Sequence, residues 1–322
     1  MNNFWKDLPK PIMILAPMDD VTDIVFREVI AETARPDVFF TEFTNVDGLQ
    51  SVGREKLLPR LKYTESERPI VAQIWGLQPK NYFEVAKQLK EMGFDGIDIN
   101  MGCPQRNVIR SGSCSALIKN RNLAKEIIQA TKEGAGSASR RIPVSVKTRL
   151  GYNSFITEDW IGFLLEQGLD AITVHGRIAT QMSKYPANWE EIGKAAALRD
   201  EMGVDTKIFG NGDVLSMDEA NQKVKEYGVD GVMIGRGIFH NPWVFEKQQR
   251  EHTKEEKLDI LLKHVDLFDK TWGNIKKFDT LKKYFKIYVN NFDGAAELRA
   301  KLMETKRVDE VKEIIKNLYI LR

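Results

Sequence analysis

One cysteine stands where a reactive thiol is expected. Cys103 lies in the segment NMGCP at residues 100–104, directly after an apolar run, where proline stops the strand and glycine leaves space beside the thiol. A free cysteine more often packs as a small apolar residue, but one at the end of a strand is better placed as an acid or nucleophile. We therefore expect chemistry from Cys103 and packing from Cys114.

Two pairs of cationic or titratable side chains indicate an anionic ligand. Lys147 and Arg149 end one apolar run, and side chains two residues apart in a strand share a face. His175 and Arg177 end the next run with the same spacing. A lone histidine is usually structural, yet this arrangement favours ligand contact.

Two glycine-flanked segments are typical of a phosphate site. They are GNGD at residues 210–213 and GRG at residues 235–237. Glycine lets backbone N–H groups approach an anion closely, and the guanidinium of Arg236 can bind two phosphate oxygens. The alternative is that these glycines only make tight turns, which is less favoured for two segments that are adjacent in the fold.

Eight short apolar runs rich in Val, Ile and Phe must position these groups. They begin about 31 residues apart with amphipathic helical patterns between them, which is the length of one strand and helix unit. Eight such units favour an α/β fold of the (β/α)8 TIM barrel type over an open doubly wound sheet. The strands of a barrel end at one mouth, and nearly every run ends in a chemically capable side chain: Met18, Glu42, Gln73, Asn100, Lys147, His175, Asn211 and Arg236.

The chain divides into two parts of opposite charge. Its 322 residues suffice for about two domains, and the strand pattern stops after Pro242. We predict a catalytic barrel at residues 1–245 and an all-helical domain at residues 246–322. Residues 1–240 carry 30 basic and 32 acidic side chains, whereas residues 241–322 carry 18 and 14, so positive charge is concentrated in the helical part.

Other features of the sequence exclude several classes of protein. Two cysteines cannot form a disulfide framework, and neither lies in a zinc-binding spacing, so we expect no metal. No signal-peptide pattern and no apolar stretch of about 18 residues occurs. We expect a cytoplasmic monomer without a membrane partner.

Ten segments together resemble the tRNA-dihydrouridine synthase family. They are APMDDVTD from residue 16, TEF from 41, AQIWG from 72, DINMGCPQRNV from 98, GSCSAL from 112, VKTR from 146, TVHGR from 173, ANW from 187, GNGD from 210 and IGRG from 234. Each is weak alone, but their order and spacing agree over essentially the whole barrel. The resemblance implies an FMN-dependent enzyme that reduces the C5–C6 double bond of uridine in tRNA with electrons from NADPH.

The resemblance also implies roles for individual residues. Cys103 would protonate C5 of uracil while reduced flavin delivers hydride to C6, with Lys147 and His175 as further catalytic groups beside the flavin. Flavin contacts are implied for Pro17, Met18, Asp19, Gln73, Lys147 and His175, and contacts to the ribityl phosphate for Asn211, Gly212, Asp213, Gly235 and Arg236. Substrate contacts are implied for Asn100, Arg149 and Arg177.

The helical part is expected to bind RNA. The segment from Trp272 to Asn290 holds five lysines and one acidic residue. On a helix over Phe278–Tyr288, the apolar residues at 278, 281, 285 and 288 share one face. Lys282, Lys283 and Lys286 point away from that face and form a basic stripe that is available to RNA phosphates.

Three alternatives stay open at the level of sequence. An FMN barrel enzyme acting on a free pyrimidine, such as a dihydroorotate dehydrogenase, would share the phosphate segments and a cysteine at the mouth. A dihydrouridine synthase acting on ribosomal RNA, or an RNA-binding protein without catalysis, would retain the basic tail. Ile178, Cys114, Ser115 and Asn188 depart from residues common in the family and bear on the subfamily more than on the reaction.

Overall fold

A computed structural model describes residues 3–137 and 141–320 of the chain. Its strands are short, and every strand pairing is parallel. In chain order they are β1 (Ile12–Leu15), β2 (Phe39–Phe40), β3 (Thr44–Asn45), β4 (Ile70–Trp75), β5 (Gly96–Met101), β6 (Val144–Arg149), β7 (Ala171–His175), β8 (Lys207–Asn211) and β9 (Gly231–Ile234).

The strands close into a barrel. Neighbours run in the order β1, β9, β8, β7, β6, β5, β4 and β2, and β3 pairs with the carboxyl end of β4. A parallel bridge between Ile14 and Val38 completes the ring, where the Leu15 N–H donates to the Val38 carbonyl at 3.2 Å. The predicted TIM barrel is confirmed; the second apolar run forms β2, and β3 follows directly after the run.

Helices follow the strands, and most begin at a side chain that caps free backbone N–H groups. Four examples are Asp23, Asn120, Asn188 and Ser216. They accept N–H bonds in the first turns of the helices that begin at Ile24, Arg121, Trp189 and Met217, as expected of Asp, Asn and Ser at an N-cap. The helices of the barrel region are α1 (Phe4–Asp7), α2 (Ile24–Thr33), α3 (Val46–Leu49), α4 (Arg54–Leu57), α5 (Pro79–Glu91), α6 (Arg106–Ile109), α7 (Arg121–Gly134), α8 (Thr157–Glu166), α9 (Trp189–Glu201) and α10 (Met217–Tyr227).

Only helices follow β9 within the described residues. They are α11 (Lys254–Trp272), α12 (Asp279–Lys282), α13 (Phe285–Tyr288), α14 (Ala295–Glu304) and α15 (Val308–Ile320). Thr253 and Glu256 form a reciprocal capping box at the start of α11. The predicted helical tail is confirmed.

Two apolar clusters hold the molecule together. The smaller fills the barrel interior and is closed at the amino-terminal end by Trp5, whose ring lies 5.0 Å from that of Phe209. The larger lies between the strands and the helices, and it also includes the buried face of α11, with Leu261 and Phe268, against Phe26 of α2. The tail therefore shares its core with the barrel, and burial of this area is a main source of its stability.

Two details of the helical predictions are wrong. The continuous helix expected over Phe278–Tyr288 is divided into α12 and α13, because the N–H groups of Tyr284 and Ile287 donate to carbonyls three residues back, which tightens the backbone. Both of these residues are buried, so the buried positions of the segment are not confined to the face at residues 278, 281, 285 and 288.

Candidate active site

A cavity of about 380 Å³ opens at the carboxyl ends of the strands. This size lies within the usual range for sites that bind small molecules and cofactors. A second cleft, of about 430 Å³, lies beside α7 and contains none of the predicted site residues. Of the predicted residues, those that line the cavity at the mouth are Pro17, Met18, Lys147, His175, Arg177, Asn211, Gly212, Asp213, Gly235 and Arg236.

Asp19 lies outside that cavity. Its carboxylate pairs with Arg60 at 2.6 Å, and the same guanidinium reaches Glu42 at 3.5 Å. Burial raises the pKa of Glu42, although Arg60 opposes the shift. The structure therefore places Asp19 in an ion-pair network at the rim rather than among the residues that line the cavity.

Gln73 and Asn100 belong to a buried hydrogen-bond network inside the barrel. The Gln73 amide donates to Asp98 at 2.7 Å and accepts from the Asn100 amide at 3.0 Å, while Ser145 donates to Asp98 at 2.6 Å. Burial raises the pKa of Asp98 to about 6, against the opposing hydrogen bonds from Ser145 and Gln73. The network fixes both amides, because each has a defined partner on each side.

Asn100 sets the conformation of the backbone at the cysteine. Its Oδ1 accepts the N–H groups of Gly102 and Cys103, each at 3.0 Å, in the manner of an Asx turn. On the other side, the Ser115 hydroxyl donates to the Cys103 carbonyl at 2.9 Å. The main chain that carries the thiol is therefore held from two directions.

The two cysteines of the chain are neighbours. The half-buried thiol of Cys103 interacts with that of Cys114, which is fully buried and has a left-handed φ of 52°. A hydrogen bond from Cys114, helped by the Gln105 backbone and the charge of Arg149 and opposed by burial, lowers the pKa of Cys103 to about 7. Burial and the same hydrogen bond raise the pKa of Cys114 well above its usual range, so Cys114 stays protonated as the donor. The packing expected of Cys114 is seen, but its contact with Cys103 is not predicted by the sequence.

Lys147 and Arg149 point to the same side of β6, but their surroundings differ. The Lys147 ammonium lies in the cavity wall and donates to Asn211 Oδ1 at 3.1 Å. Burial, with a smaller contribution from Arg149, lowers the pKa of Lys147 to about 8. The Arg149 guanidinium instead donates to the carbonyls of Gly102 at 2.7 Å and Met182 at 2.8 Å, which ties the loop at Cys103 to the loop after β7.

His175 is neutral and has a defined tautomer. Burial and nearby cations, Arg149 and Lys147 among them, lower its pKa well below the usual range. Its Nε2 lies 2.9 Å from Nη1 of Arg177. Because a guanidinium only donates hydrogen bonds, Nε2 accepts and the ring proton resides on Nδ1.

The glycine segments form the part of the wall next to His175 and Arg177. Gly212 has a φ of +129°, and a Cβ there would lie 2.6 Å from the Cβ of Ala187. The Asp213 carboxylate pairs with Arg177 and, at 2.9 Å, with Arg236, and it also accepts the Ala187 N–H at 2.8 Å. The carboxylate of Asp213 therefore orients two guanidinium groups, and the phosphate contact expected for this residue stays a prediction.

The three lysines of the expected basic stripe do not share one environment. Lys282 pairs with Asp279 at 2.9 Å and lies over the ring of Phe278. Lys283 pairs with Asp20 of the barrel at 2.9 Å, while Lys286 is exposed. Lys282 and Lys283 each pair with a carboxylate, so the three side chains do not form one uniform stripe, and their contact with RNA stays a prediction.

Several residues of this region were not singled out by sequence. Asp98 lay within β5, at the start of the quoted segment DINMGCPQRNV, and Arg60 lay in a stretch without any pattern. Their partners are 18 or more residues away in the chain, so no local spacing reveals them. A buried acidic residue inside an apolar run, as at Asp98, is the one signal that could have been used.

Two further properties hold for residues 3–137 and 141–320. They contain no group of three or more His, Cys, Asp or Glu side chains arranged to hold a metal ion. Nor do they include a helix with the length and apolar character needed to traverse a bilayer.

Comparison with known sequences gives one consistent result. Residues 14–320 match the family described as dihydrouridine synthase. A probable tRNA-dihydrouridine synthase of Staphylococcus aureus (strain COL) is 48% identical over 316 residues, which cover 97% of this chain and 94% of that protein. The probable tRNA-dihydrouridine synthase 2 of Bacillus subtilis (strain 168) is 46% identical over 316 residues, covering 97% and 95%.

Comparison with solved structures concerns the fold alone. A complex of 2-naphthoyl-CoA reductase with 2-naphthoyl-CoA aligns with a TM-score of 0.56 at 13% identity, over 76% of this chain and 52% of that chain. A morphinone reductase mutant in complex with tetrahydroNAD aligns with a TM-score of 0.50 at 14% identity, over 73% and 85%. At such identities the likeness supports the barrel architecture and does not transfer a ligand.

Proposed function

The chain belongs to the dihydrouridine synthase family, and from this premise we propose that it reduces the C5–C6 double bond of uridine in tRNA with FMN as cofactor and NADPH as electron donor. The observation that carries the proposal is the half-buried thiol of Cys103 at a mouth whose cavity is lined by Lys147, His175 and Arg236. We further propose that the protein acts in the cytoplasm, where its RNA substrate is found, and as a monomer, because one chain supplies every group of the site.

The residues of the cavity fit a flavin mononucleotide. A Cβ at Gly235 would stand 3.6 Å from the Cβ of Ala16 and 4.0 Å from the sulfur of Met18, so the missing side chain leaves room along the wall. Arg236, oriented by Asp213, offers a guanidinium to a phosphate, and Lys147 offers a cation to a reduced, anionic ring. When bound and reduced by NADPH, FMN supplies the hydride that is added to C6 of uracil.

Cys103 is the proposed proton donor. The proton on its Sγ passes to C5 of uracil, and the electron pair of the S–H bond stays on sulfur as a thiolate. The Cys114 thiol and the charge of Arg149 stabilise that thiolate, which is why the pKa of Cys103 lies near 7. A general acid works best when its pKa is close to the working pH, and this thiol meets that condition.

The surrounding polar groups are proposed to hold the uracil and its developing negative charge. His175 is neutral, so it would donate a hydrogen bond from Nδ1 to the uracil without adding a second positive charge beside Lys147. Arg149 acts at one remove, because its guanidinium is occupied by backbone carbonyls that shape the mouth. Asn100 likewise positions Cys103 through its backbone bonds. With these assignments, the flavin as hydride donor and Cys103 as proton donor would act on opposite faces of the uracil ring.

Purification and turnover test the proposal. Protein expressed in a strain without endogenous dihydrouridine synthases should be yellow and release FMN on denaturation. With NADPH it should form dihydrouridine in unmodified tRNA, measured by mass spectrometry, and Cys103→Ala should abolish this while retaining FMN. Ribosomal RNA and free uridine monophosphate serve as competing substrates.

Two results would contradict it. A colourless protein that does not take up FMN would exclude FMN as the cofactor. Full dihydrouridine formation by Cys103→Ala would exclude Cys103 as the proton donor. Turnover of uridine monophosphate as fast as that of tRNA would instead favour a pyrimidine reductase.

A further inference from the structure

Three side chains of the helical tail hold the loop that follows β1. The Lys276 ammonium pairs with Asp23 at 2.7 Å, and Lys283 pairs with Asp20 at 2.9 Å and also donates to its carbonyl. The Tyr284 hydroxyl donates to the Val21 carbonyl at 2.7 Å. We call Lys276, Lys283 and Tyr284 the tail clamp.

The loop held by the tail clamp carries part of the cavity wall. Within it, the N–H of Met18 donates to the Thr22 hydroxyl at 2.9 Å, and the N–H of Thr22 donates to the Met18 carbonyl at 3.0 Å. Met18 and Pro17 line the cavity. A displacement of Thr22 or its neighbours would therefore move Met18.

The loop needs external support. Asp20 has a left-handed φ of 60°, which costs free energy for a residue other than glycine and persists only where the surroundings enforce it. Its N–H donates to Glu42 at 2.6 Å on the barrel side, and Lys283 holds its carboxylate and carbonyl on the tail side. Two separate parts of the chain thus fix this one residue.

Asp23, the partner of Lys276, is buried and makes two interactions. Asp23 caps α2 by accepting the Phe26 N–H at 3.1 Å with one oxygen and pairs with Lys276 through the other. Its side chain is only 8% exposed, so removal of the cation would leave a carboxylate that is shielded from water. The ring of Tyr284 stacks on Phe26 at 5.4 Å, which keeps the tail clamp close to the start of α2.

We propose that Lys276, Lys283 and Tyr284 are positioning residues of the cofactor cavity, so that the affinity of the barrel for FMN depends on the helical tail. The inference rests on the proposed function, because it takes the cavity to be the flavin site. It gives Lys283 a different task from RNA binding. The tail clamp touches neither the cavity nor the reacting atoms, and it acts through the backbone from Asp20 to Asp23.

The test is the dissociation constant of FMN, measured by quenching of flavin fluorescence after removal of bound flavin. The variants are Tyr284→Phe, which removes one hydrogen bond and keeps the ring on Phe26, and the double variant Lys276→Met with Lys283→Met. Lys277→Met, at an exposed lysine of the same segment, is the matched control. We expect a rise of about tenfold for the double variant, a smaller rise for Tyr284→Phe and no change for the control.

A purely structural role would lower the stability of the flavin-free protein and leave the FMN dissociation constant unchanged, and that result overturns the inference. If the double variant does not fold, Tyr284→Phe and Lys283→Arg decide the question. Tyr284→Phe should weaken FMN binding, whereas Lys283→Arg, which keeps the cation, should leave the FMN dissociation constant at the wild-type value. Wild-type protein that binds no FMN overturns the proposed function itself. Wild-type binding with unchanged variants overturns only the inference.

Discussion

Replacement of Cys114 by alanine should raise the pKa of Cys103. The largest single cause of the low value, about 7 against an ordinary 9.0, is the hydrogen bond from Cys114. A hydrogen bond to a charged group contributes about 1.5 to 3 kcal/mol, and one pH unit corresponds to about 1.4 kcal/mol. Because a thiol is a weak donor, we take the lower limit and expect a rise of about one unit.

The alkylation rate of Cys103 by iodoacetamide reports this pKa directly. Only the thiolate reacts, and Cys114 is fully buried, so the rate should follow the ionisation of Cys103 alone. Wild-type protein should show a midpoint near pH 7, and Cys114→Ala a midpoint near pH 8. Cys114→Ser keeps a donor at the same position and should remain near the wild-type value.

The same change should move the pH dependence of catalysis. Cys103 must be protonated to act as an acid, so the protonation step is available below its pKa and is lost as the pH rises through it. In Cys114→Ala this loss should occur about one unit higher, as measured by single-turnover oxidation of the reduced enzyme with tRNA. An unchanged or lower alkylation midpoint in Cys114→Ala would refute the assignment of Cys114 as the donor.

Three further changes test other parts of the site and the fold. Gly212→Ala should weaken FMN binding about tenfold, because φ is +129° and the new Cβ would meet Ala187 at 2.6 Å; Gly203→Ala, at a φ of +63° with no atom within 4 Å, should leave the FMN dissociation constant unchanged. Arg27→Met should lower the free energy of unfolding in urea by about 3 to 5 kcal/mol, since Glu67 would lose its fully buried partner, and addition of Glu67→Gln should recover part of the loss. Lys147→Met should slow flavin reduction by NADPH below pH 8, where Lys147 is charged; burial lowers its pKa to about 8, so the difference from wild type should shrink as the pH rises through that value. The first expectation fails if Gly212→Ala and Gly203→Ala change the FMN dissociation constant equally. The second fails if Arg27→Met leaves the free energy of unfolding unchanged, and the third if the rate difference between Lys147→Met and wild type does not vary with pH.

The sequence predicts the barrel and the composition of its mouth for a physical reason. Most residues of the strands are buried, and most strands read as short apolar runs that end near a chemically capable side chain. In a parallel barrel those ends all lie on one side, and Lys147, His175, Asn211 and Arg236 therefore meet without any knowledge of their distances.

Pairing between distant elements is what the sequence leaves open. The spacing of Lys282 and Lys283 predicts the face of a helix but not what covers that face. Lys283 meets Asp20, 263 residues away, whereas Lys282 meets Asp279 three residues earlier, a local pair that helical spacing allows. Asp213 is similar, because proximity to glycines suggested phosphate contact while its carboxylate is taken by Arg177 and Arg236.

These pairings change how the charge of the tail should be understood. Residues 241–322 carry four more basic than acidic side chains, yet Lys263, Lys276 and Lys283 pair with Glu32, Asp23 and Asp20 of the barrel. Part of the positive excess thus complements an acidic surface around α2, and charge complementarity of this kind fixes the orientation of two packed surfaces. The groups left for an RNA backbone are exposed lysines such as Lys277 and Lys286. Because exposed charges are screened by salt more strongly than half-buried pairs, we expect RNA binding at these lysines to depend more steeply on ionic strength than the contact between tail and barrel.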